Sequence, residues 1–139
     1  MKQMSCPTAD QLPVAATVTV LDCKGRLGLD PAPLALISTA RGEGAAEQTA
    51  CRALEDLATR LADMQDARWR SGFGDLPPPA QRFAAIAEQI GLTELAQAAR
   101  HVATAASQAD GVALEATMQR LERAFDLAVT HIWNYRALI

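Results

Sequence analysis

The strongest constraint on the fold is a run of apolar residues, spaced alternately four and three apart, near the end of the chain. This stripe comprises Leu114, Met118, Leu121, Phe125, Ala128, Ile132 and Tyr135. These intervals place all the side chains on one face of an α-helix, which has about 3.6 residues per turn. The pattern therefore predicts a long amphipathic helix. In a chain with several comparable helices, we expect its apolar face to lie in a bundle core rather than in a coiled-coil seam.

The composition also favours a helical protein. Half of the 139 residues are hydrophobic, but only 4% are aromatic, so a core must be filled mainly by Leu, Ala, Val and Ile. Such residues are typical of closely packed helices, and the length suits one domain. The composition predicts a single all-α domain.

Residues that begin and end helices divide the first half of the chain. Asp30 is a suitable N-cap, Pro31 fits the first helical turn and Gly42 can end the helix, so a short helix is predicted between them. A long helix is expected from about residue 44 to residue 70. Its apolar stripe consists of Leu54, Leu57, Leu61 and Met64.

The segment "SGFGDLPPP", residues 71–79, interrupts the helices, because consecutive prolines can open a helix but cannot continue one. A third helix is expected from about Pro79 to Ile90, and Gly91 joins it to a fourth from Thr93 to about residue 108. Asp110 is the expected cap of the final helix.

The third helix should bury Phe83, Ile86 and Ile90, and the fourth should bury Leu95, Ala99, Val102 and Ala106. Short connections make antiparallel neighbours the natural packing. We therefore expect an antiparallel four-helix bundle, residues 30–139, with a short additional N-terminal helix.

Residues 1–29 differ from the rest of the chain. Prolines and the β-branched run "VAATVTVLDCKG" favour an extended arm or a short hairpin over a helix. One hypothesis is a structural protein that dimerises through this arm or through the stripe of the last helix.

Charge and composition argue against several classes of partner. The net charge is −3 and the basic residues do not cluster, so no nucleic-acid partner is expected. The sequence has no apolar run of about 20 residues and no signal-peptide core, so we expect a cytoplasmic protein without a membrane role. The three cysteines, Cys6, Cys23 and Cys51, are too widely spaced for a metal knuckle.

The sequence contains no recognisable catalytic or metal-binding motif. His101 and His131 have no Cys or acidic residue at helical spacing with which to bind a metal. No serine stands in a G-x-S-x-G setting, and no glycine-rich run matches a phosphate-binding loop. We therefore expect neither an enzyme nor a bound cofactor.

The segment "QRFAAIAEQIGLTELAQAARHV", residues 81–102, resembles part of a known family. Ile90, Gly91, Leu92 and Leu95, with Ala87 at a small position, match the end of the signature H-x-L-K-G-x-A-x-x-I-G-[LA]-x-x-L. That signature belongs to the histidine-containing phosphotransfer domain, a four-helix bundle that relays phosphoryl groups in bacterial two-component signalling. The resemblance extends from about Leu29 to Val129.

The resemblance implies that the reactive residues have been replaced. It places the phospho-accepting histidine on Gln81, the lysine on Ala84 and the glycine on Ala85. A carboxamide nitrogen cannot act as the nucleophile, because its lone pair is delocalised into the carbonyl. We expect Arg82 to supply part of the charge that Ala84 lacks. His101, with the small Ala105 four residues on, is an alternative acceptor.

The expected function is therefore that of a pseudo-phosphotransferase in a phosphorelay. The chain would bind a response-regulator receiver domain or a histidine kinase without carrying phosphate. The expected partner-binding residues are Gln81, Arg82, Ala84, Ala85 and Glu88.

Overall fold

The protein is described from a computed structural model that defines residues 28–70 and 72–138, without the side chains of residue 70 and residues 133–138. Of the predicted arm, only Gly28 and Leu29 belong to the described residues. The hypothesis of a dimer through the arm therefore falls on residues outside them.

The described residues form five α-helices and one 3-10 turn. The helices are α1 (Ala32–Arg41), α2 (Glu43–Arg70), α3 (Pro77–Gln89), α4 (Thr93–Ser107) and α5 (Gly111–Leu138), and the turn is Phe73–Asp75. No strand occurs within residues 28–70 or 72–138, where an isolated bridge joins Leu29 and Leu92. The prediction of an all-α fold is confirmed for the residues that the structure describes. None of the described helices is long and apolar enough to cross a membrane.

Helix α1 begins at Ala32, one residue after the predicted first position Pro31, and ends before Gly42 as predicted. The Asp30 carboxylate accepts a hydrogen bond from the Ala32 backbone N–H at 3.0 Å, and Pro31 precedes the first helical residue. Gly42 ends the helix with φ at +95°, a left-handed conformation that favours glycine. Asp110 likewise caps α5 by accepting a hydrogen bond from the Ala113 N–H at 3.0 Å.

Helix α3 begins at Pro77, two residues earlier than the prediction of Pro79. The first N–H groups of a helix have no intrahelical partner, so all three prolines fit the first turn. The Ala80 N–H, the first after the prolines, donates to the Leu76 carbonyl at 3.0 Å.

The helices pack so that α2 contacts α3 and α5, α3 contacts α4, and α4 contacts α5. Gln65 of α2 hydrogen-bonds Glu122 of α5 at 2.7 Å, and Arg68 of α2 bonds to Glu115 of α5 at 3.3 Å. The contacts move forward along α2 and backward along α5, so these two helices run in opposite directions. The predicted stripe of α2 is buried, and so are the four residues expected inside α4. Phe83 and Ile90 are buried as predicted, whereas Ile86 is half-buried.

The stripe of α5 faces the core of its own chain. Five of its members are buried: Leu114, Met118, Leu121, Ala128 and Ile132. Phe125 is half-buried and packs edge-on against Phe83, with 6.5 Å between ring centroids. The side chain of Tyr135 lies outside the described residues. The stripe from Leu114 to Ile132 therefore serves this core.

Residues Gly28 to Asp30 are bound to the joint between α3 and α4. The Asp30 N–H donates to the Gly91 carbonyl at 2.7 Å, and the Gly28 carbonyl accepts from the N–H groups of Thr93 at 2.9 Å and Glu94 at 3.2 Å. The Thr93 hydroxyl also donates to the Gly28 carbonyl. These bonds satisfy N–H groups in the first turn of α4 that have no partner within the helix.

Candidate functional site

The exposed face of α3 carries most of the residues expected to bind a partner. Gln81, Arg82, Ala85 and Glu88 are exposed, whereas Ala80, Phe83, Ala84 and Ala87 are buried. Gln81 lies in the second turn of the helix, and Ala85 and Glu88 follow it one and two turns later. Because residues three and four apart are neighbours on a helix, Gln81, Ala85 and Glu88 form one continuous surface.

Ala84 does not belong to this surface, so its assignment as a partner-binding residue is wrong. Only 1% of Ala84 is exposed, and it belongs to the core cluster with Ala80 and Ala87. Its spacing of four and three from these two alanines places it on the inner face of α3. A lysine at this position would have to carry its charge out of the core.

A polar groove lies between α3 and α4 next to Gln81. Its volume is about 420 Å³, and its lining consists of Gln81, Arg100, Ala103, Thr104, Ser107 and Gln108. Only Gln81 was identified from the sequence. The polar residues of α4 do recur at helical spacing, from Arg100 to Thr104 and on to Ser107 and Gln108. That spacing alone does not distinguish a binding groove from an ordinary solvated face.

Arg100 forms an ion pair with Glu88 across the two helices. The distance from Arg100 Nη2 to Glu88 Oε1 is 2.5 Å, and both side chains are partly exposed to solvent. The hydrogen bond from Arg100 lowers the pKa of the Glu88 carboxyl below its ordinary value. Desolvation opposes this shift, and the positive charge of Arg100 adds to it. Glu88 therefore holds the guanidinium at the edge of the polar groove.

The two histidines lie apart from this groove. His101 is exposed on α4, and its Nε2 lies 3.1 Å from Nε2 of Gln97, one turn earlier on the helix. It is not among the residues that line the polar groove. His131 is half-buried near the end of α5, where it lines a different pocket with α1 and α2.

Gly91 has a structural explanation within this chain. Its φ is +86°, and a Cβ atom built there would lie 1.9 Å from the Asp30 carbonyl oxygen. Any other residue would be strained and would displace the segment that binds the joint. The glycine shared with the phosphotransfer signature is thus required by local packing, whatever the function.

The chemistry available in the polar groove is that of recognition. Its amides, guanidinium and hydroxyls can donate hydrogen bonds to a polar or anionic group. None of its six lining residues is an imidazole, a thiol or a carboxylate that could serve as a general base. Among the described residues, no three His, Cys, Asp or Glu side chains are placed to share a metal ion.

No protein-family model, curated protein or solved structure matches this chain. The likeness to the phosphotransfer domain therefore depends on the motif in residues 81–95 and on the order of the helices.

Proposed function

We propose that this protein is a phosphotransfer-like adaptor of a two-component phosphorelay, built as an antiparallel four-helix bundle. It binds a receiver domain through the exposed face of α3 and does not itself accept phosphate. Receiver domains are the first choice of partner, and histidine kinases are the second.

The observation that carries this proposal is the exposure of Gln81 on α3. The resemblance places the family's reactive histidine at this residue, and such a histidine must face solvent to meet a receiver. Gln81 is exposed, and the small Ala85 lies one turn away on the same surface. A side chain this short leaves room for an approaching protein.

Two arginines replace the charge that the family obtains from its lysine. Position 84 is a buried alanine, but Arg82 is exposed on α3 and Arg100 borders the polar groove from α4. Both guanidiniums can approach the acidic phosphorylation site of a receiver. Neither can act as a nucleophile, so this surface supports binding without transfer.

The binding surface is tested with purified receiver domains from the same organism, with and without beryllium fluoride as a mimic of the aspartyl phosphate. We expect at least one receiver to bind, with a dissociation constant that isothermal titration calorimetry can measure. Ala85→Arg should weaken this binding at least about tenfold, which corresponds to about 1.4 kcal/mol. The matched control is Ala116→Arg, which makes the same change at an exposed alanine of α5 and should leave binding unchanged. Equal losses from both variants would contradict the proposed surface.

The loss of the acceptor is tested by restoring an imidazole. Gln81→His should gain an acid-labile phosphoryl label from a phosphorylated receiver that binds, whereas Gln119→His, on exposed α5, should not. Ala84 is left unchanged because a lysine there would enter the core. The wild-type chain should stay unlabelled. A label on wild type that disappears in His101→Gln would show that His101 is the acceptor.

A further inference from the structure

An apolar groove runs along the contact between α2 and α5, away from the polar groove. We call it the seam groove. Its walls are Cys51, Leu54 and Ala58 on α2, and Phe125, Val129 and Ile132 on α5, and its volume is about 400 Å³. At Ile132 it meets a second apolar pocket of about 280 Å³, which includes Leu34 of α1 and Ala46 and Ala50 of α2.

The seam groove is open because α2 and α5 contact each other at few points. Phe125 and Val129 pack against the core but are only half-buried, so part of each apolar side chain is exposed where it lines the groove. A continuous apolar surface of this kind is unfavourable in water and marks a site where something else packs.

Residues 14–21, "VAATVTVL", have the length and pattern to fill it. The two pockets together extend along α2 from Glu43 to Ala58, a rise of about 22 Å. Eight extended residues span about 26 Å. If the segment is extended, one face carries Val14, Ala16, Val18 and Val20, and the other carries Ala15, Thr17, Thr19 and Leu21. The first face is entirely apolar, whereas the second is polar at its centre.

The same segment is connected to the groove by a short stretch of chain. The described chain begins at Gly28, and Leu29 and Pro31 line the pocket that joins the seam groove. The intervening residues 22–27 span up to about 20 Å when extended. They include the basic Lys24 and Arg26 and the acidic Asp22, so their net charge is positive, whereas Glu43 and Glu55 line the two pockets with negative charge.

We propose that residues 14–21 of this chain bind in the seam groove and cover it, with Val18 and Val20 facing the helices. This inference does not depend on the proposed phosphorelay function.

Cys51 in the wall of the seam groove provides the test. In full-length protein carrying Cys6→Ser and Cys23→Ser, it is the remaining thiol, and its alkylation rate by iodoacetamide reports whether the groove is covered. Val18→Asp with Val20→Asp should raise this rate at least fivefold. The matched control, Thr17→Asp with Thr19→Asp, adds the same charge on the other face of the segment and should leave the rate unchanged. Circular dichroism checks that all variants keep the same helix content.

Two results would overturn the proposal. Equal alkylation rates in all variants would show that the segment does not cover Cys51. Protection that increases with protein concentration, together with a doubled mass in light scattering, would show that a second copy covers the groove.

A cross-link provides a second measurement should the valine variants fail to fold. In the same background, Val18→Cys should form an intramolecular disulfide with Cys51 when diamide is added, and faster than Thr17→Cys does. Equal rates for the two positions, or cross-links only between molecules, would contradict the proposed arrangement.

Discussion

Two pairs of neighbouring helices in this protein pack in different ways. Helices α3 and α4 both bury alanines, such as Ala84 and Ala99, and the two helices pack extensively. Between α2 and α5, larger side chains such as Leu54 and Ile132 form the contact, and the helices approach at few points. Helix separation depends on the side chains at the contact. The first pair is therefore closed and polar outside, whereas the second leaves an apolar groove.

The two helix pairs therefore present different surfaces to solvent, one polar and one apolar. A polar surface such as that around Gln81 can be solvated when no partner is bound, so it suits transient binding. The seam groove exposes the sides of Phe125 and Val129, which favours a permanent cover. The difference supports the two proposals made above, an exchangeable partner on α3 and α4 and a segment of the same chain on α2 and α5.

Among changes in the closely packed α3–α4 pair, Gly91→Ala in the joint between the two helices is expected to cause the largest loss of stability. The new Cβ atom would clash with the Asp30 carbonyl, and the φ of +86° would be strained. We expect the free energy of unfolding in urea to fall by about 2–4 kcal/mol.

Gly44→Ala is the control for this change. A Cβ atom at Gly44 meets nothing within 4 Å, and the residue lies in the first turn of α2. Alanine is the better helix former, so stability should stay constant or rise by up to about 1 kcal/mol. A loss in Gly91→Ala no larger than the change in Gly44→Ala would show that the binding of residues 28–30 to the joint contributes little.

A smaller loss of stability is expected from enlarging an alanine, and it compares the packing of the α3–α4 pair with that of the α2–α5 pair. Ala84→Leu adds three carbon atoms to a core residue of α3 that is only 1% exposed, and should destabilise the protein by about 1–3 kcal/mol. Ala58→Leu makes the same change at an exposed wall of the seam groove and should alter the free energy of unfolding by less than about 0.5 kcal/mol. Urea unfolding of both variants measures the difference. Equal losses would mean that the seam is as tightly packed as the α3–α4 contact.

Much of the helical structure could be predicted from the sequence because its determinants are local. Capping residues such as Asp30 and Asp110 mark helix ends by hydrogen bonds within three residues. Apolar stripes mark buried faces for the same reason, since a helix brings residues three and four apart together. Ala84 could also have been placed correctly, because its spacing from Ala80 and Ala87 indicates burial. At this position the spacing and the family resemblance make opposite predictions, and the burial of Ala84 agrees with the spacing.

The remaining features depend on contacts that local patterns do not encode. The binding of Gly28 to the N–H groups of Thr93 and Glu94 joins residues more than sixty positions apart. Arg100 borders the polar groove only because α4 packs against α3 in a particular register. The seam groove exists because two helices diverge, and the amphipathic stripes of α2 and α5 predict burial without predicting how closely the helices approach.

The smallest loss of stability is expected from Glu88→Gln. This change removes the solvent-exposed ion pair between Glu88 of α3 and Arg100 of α4. Arg100 lowers the pKa of Glu88 in the folded protein, so ionised Glu88 stabilises the fold above its ordinary pKa of 4.5. This contribution is lost as the pH falls through the lowered pKa. The variant should therefore unfold at a slightly lower temperature than wild type at pH 7, and the two should converge in acid below the lowered pKa. Added salt should also reduce the difference at pH 7, because the pair is open to solvent. A difference in melting temperature that persists unchanged in acid would mean that Glu88 acts through packing rather than through its charge.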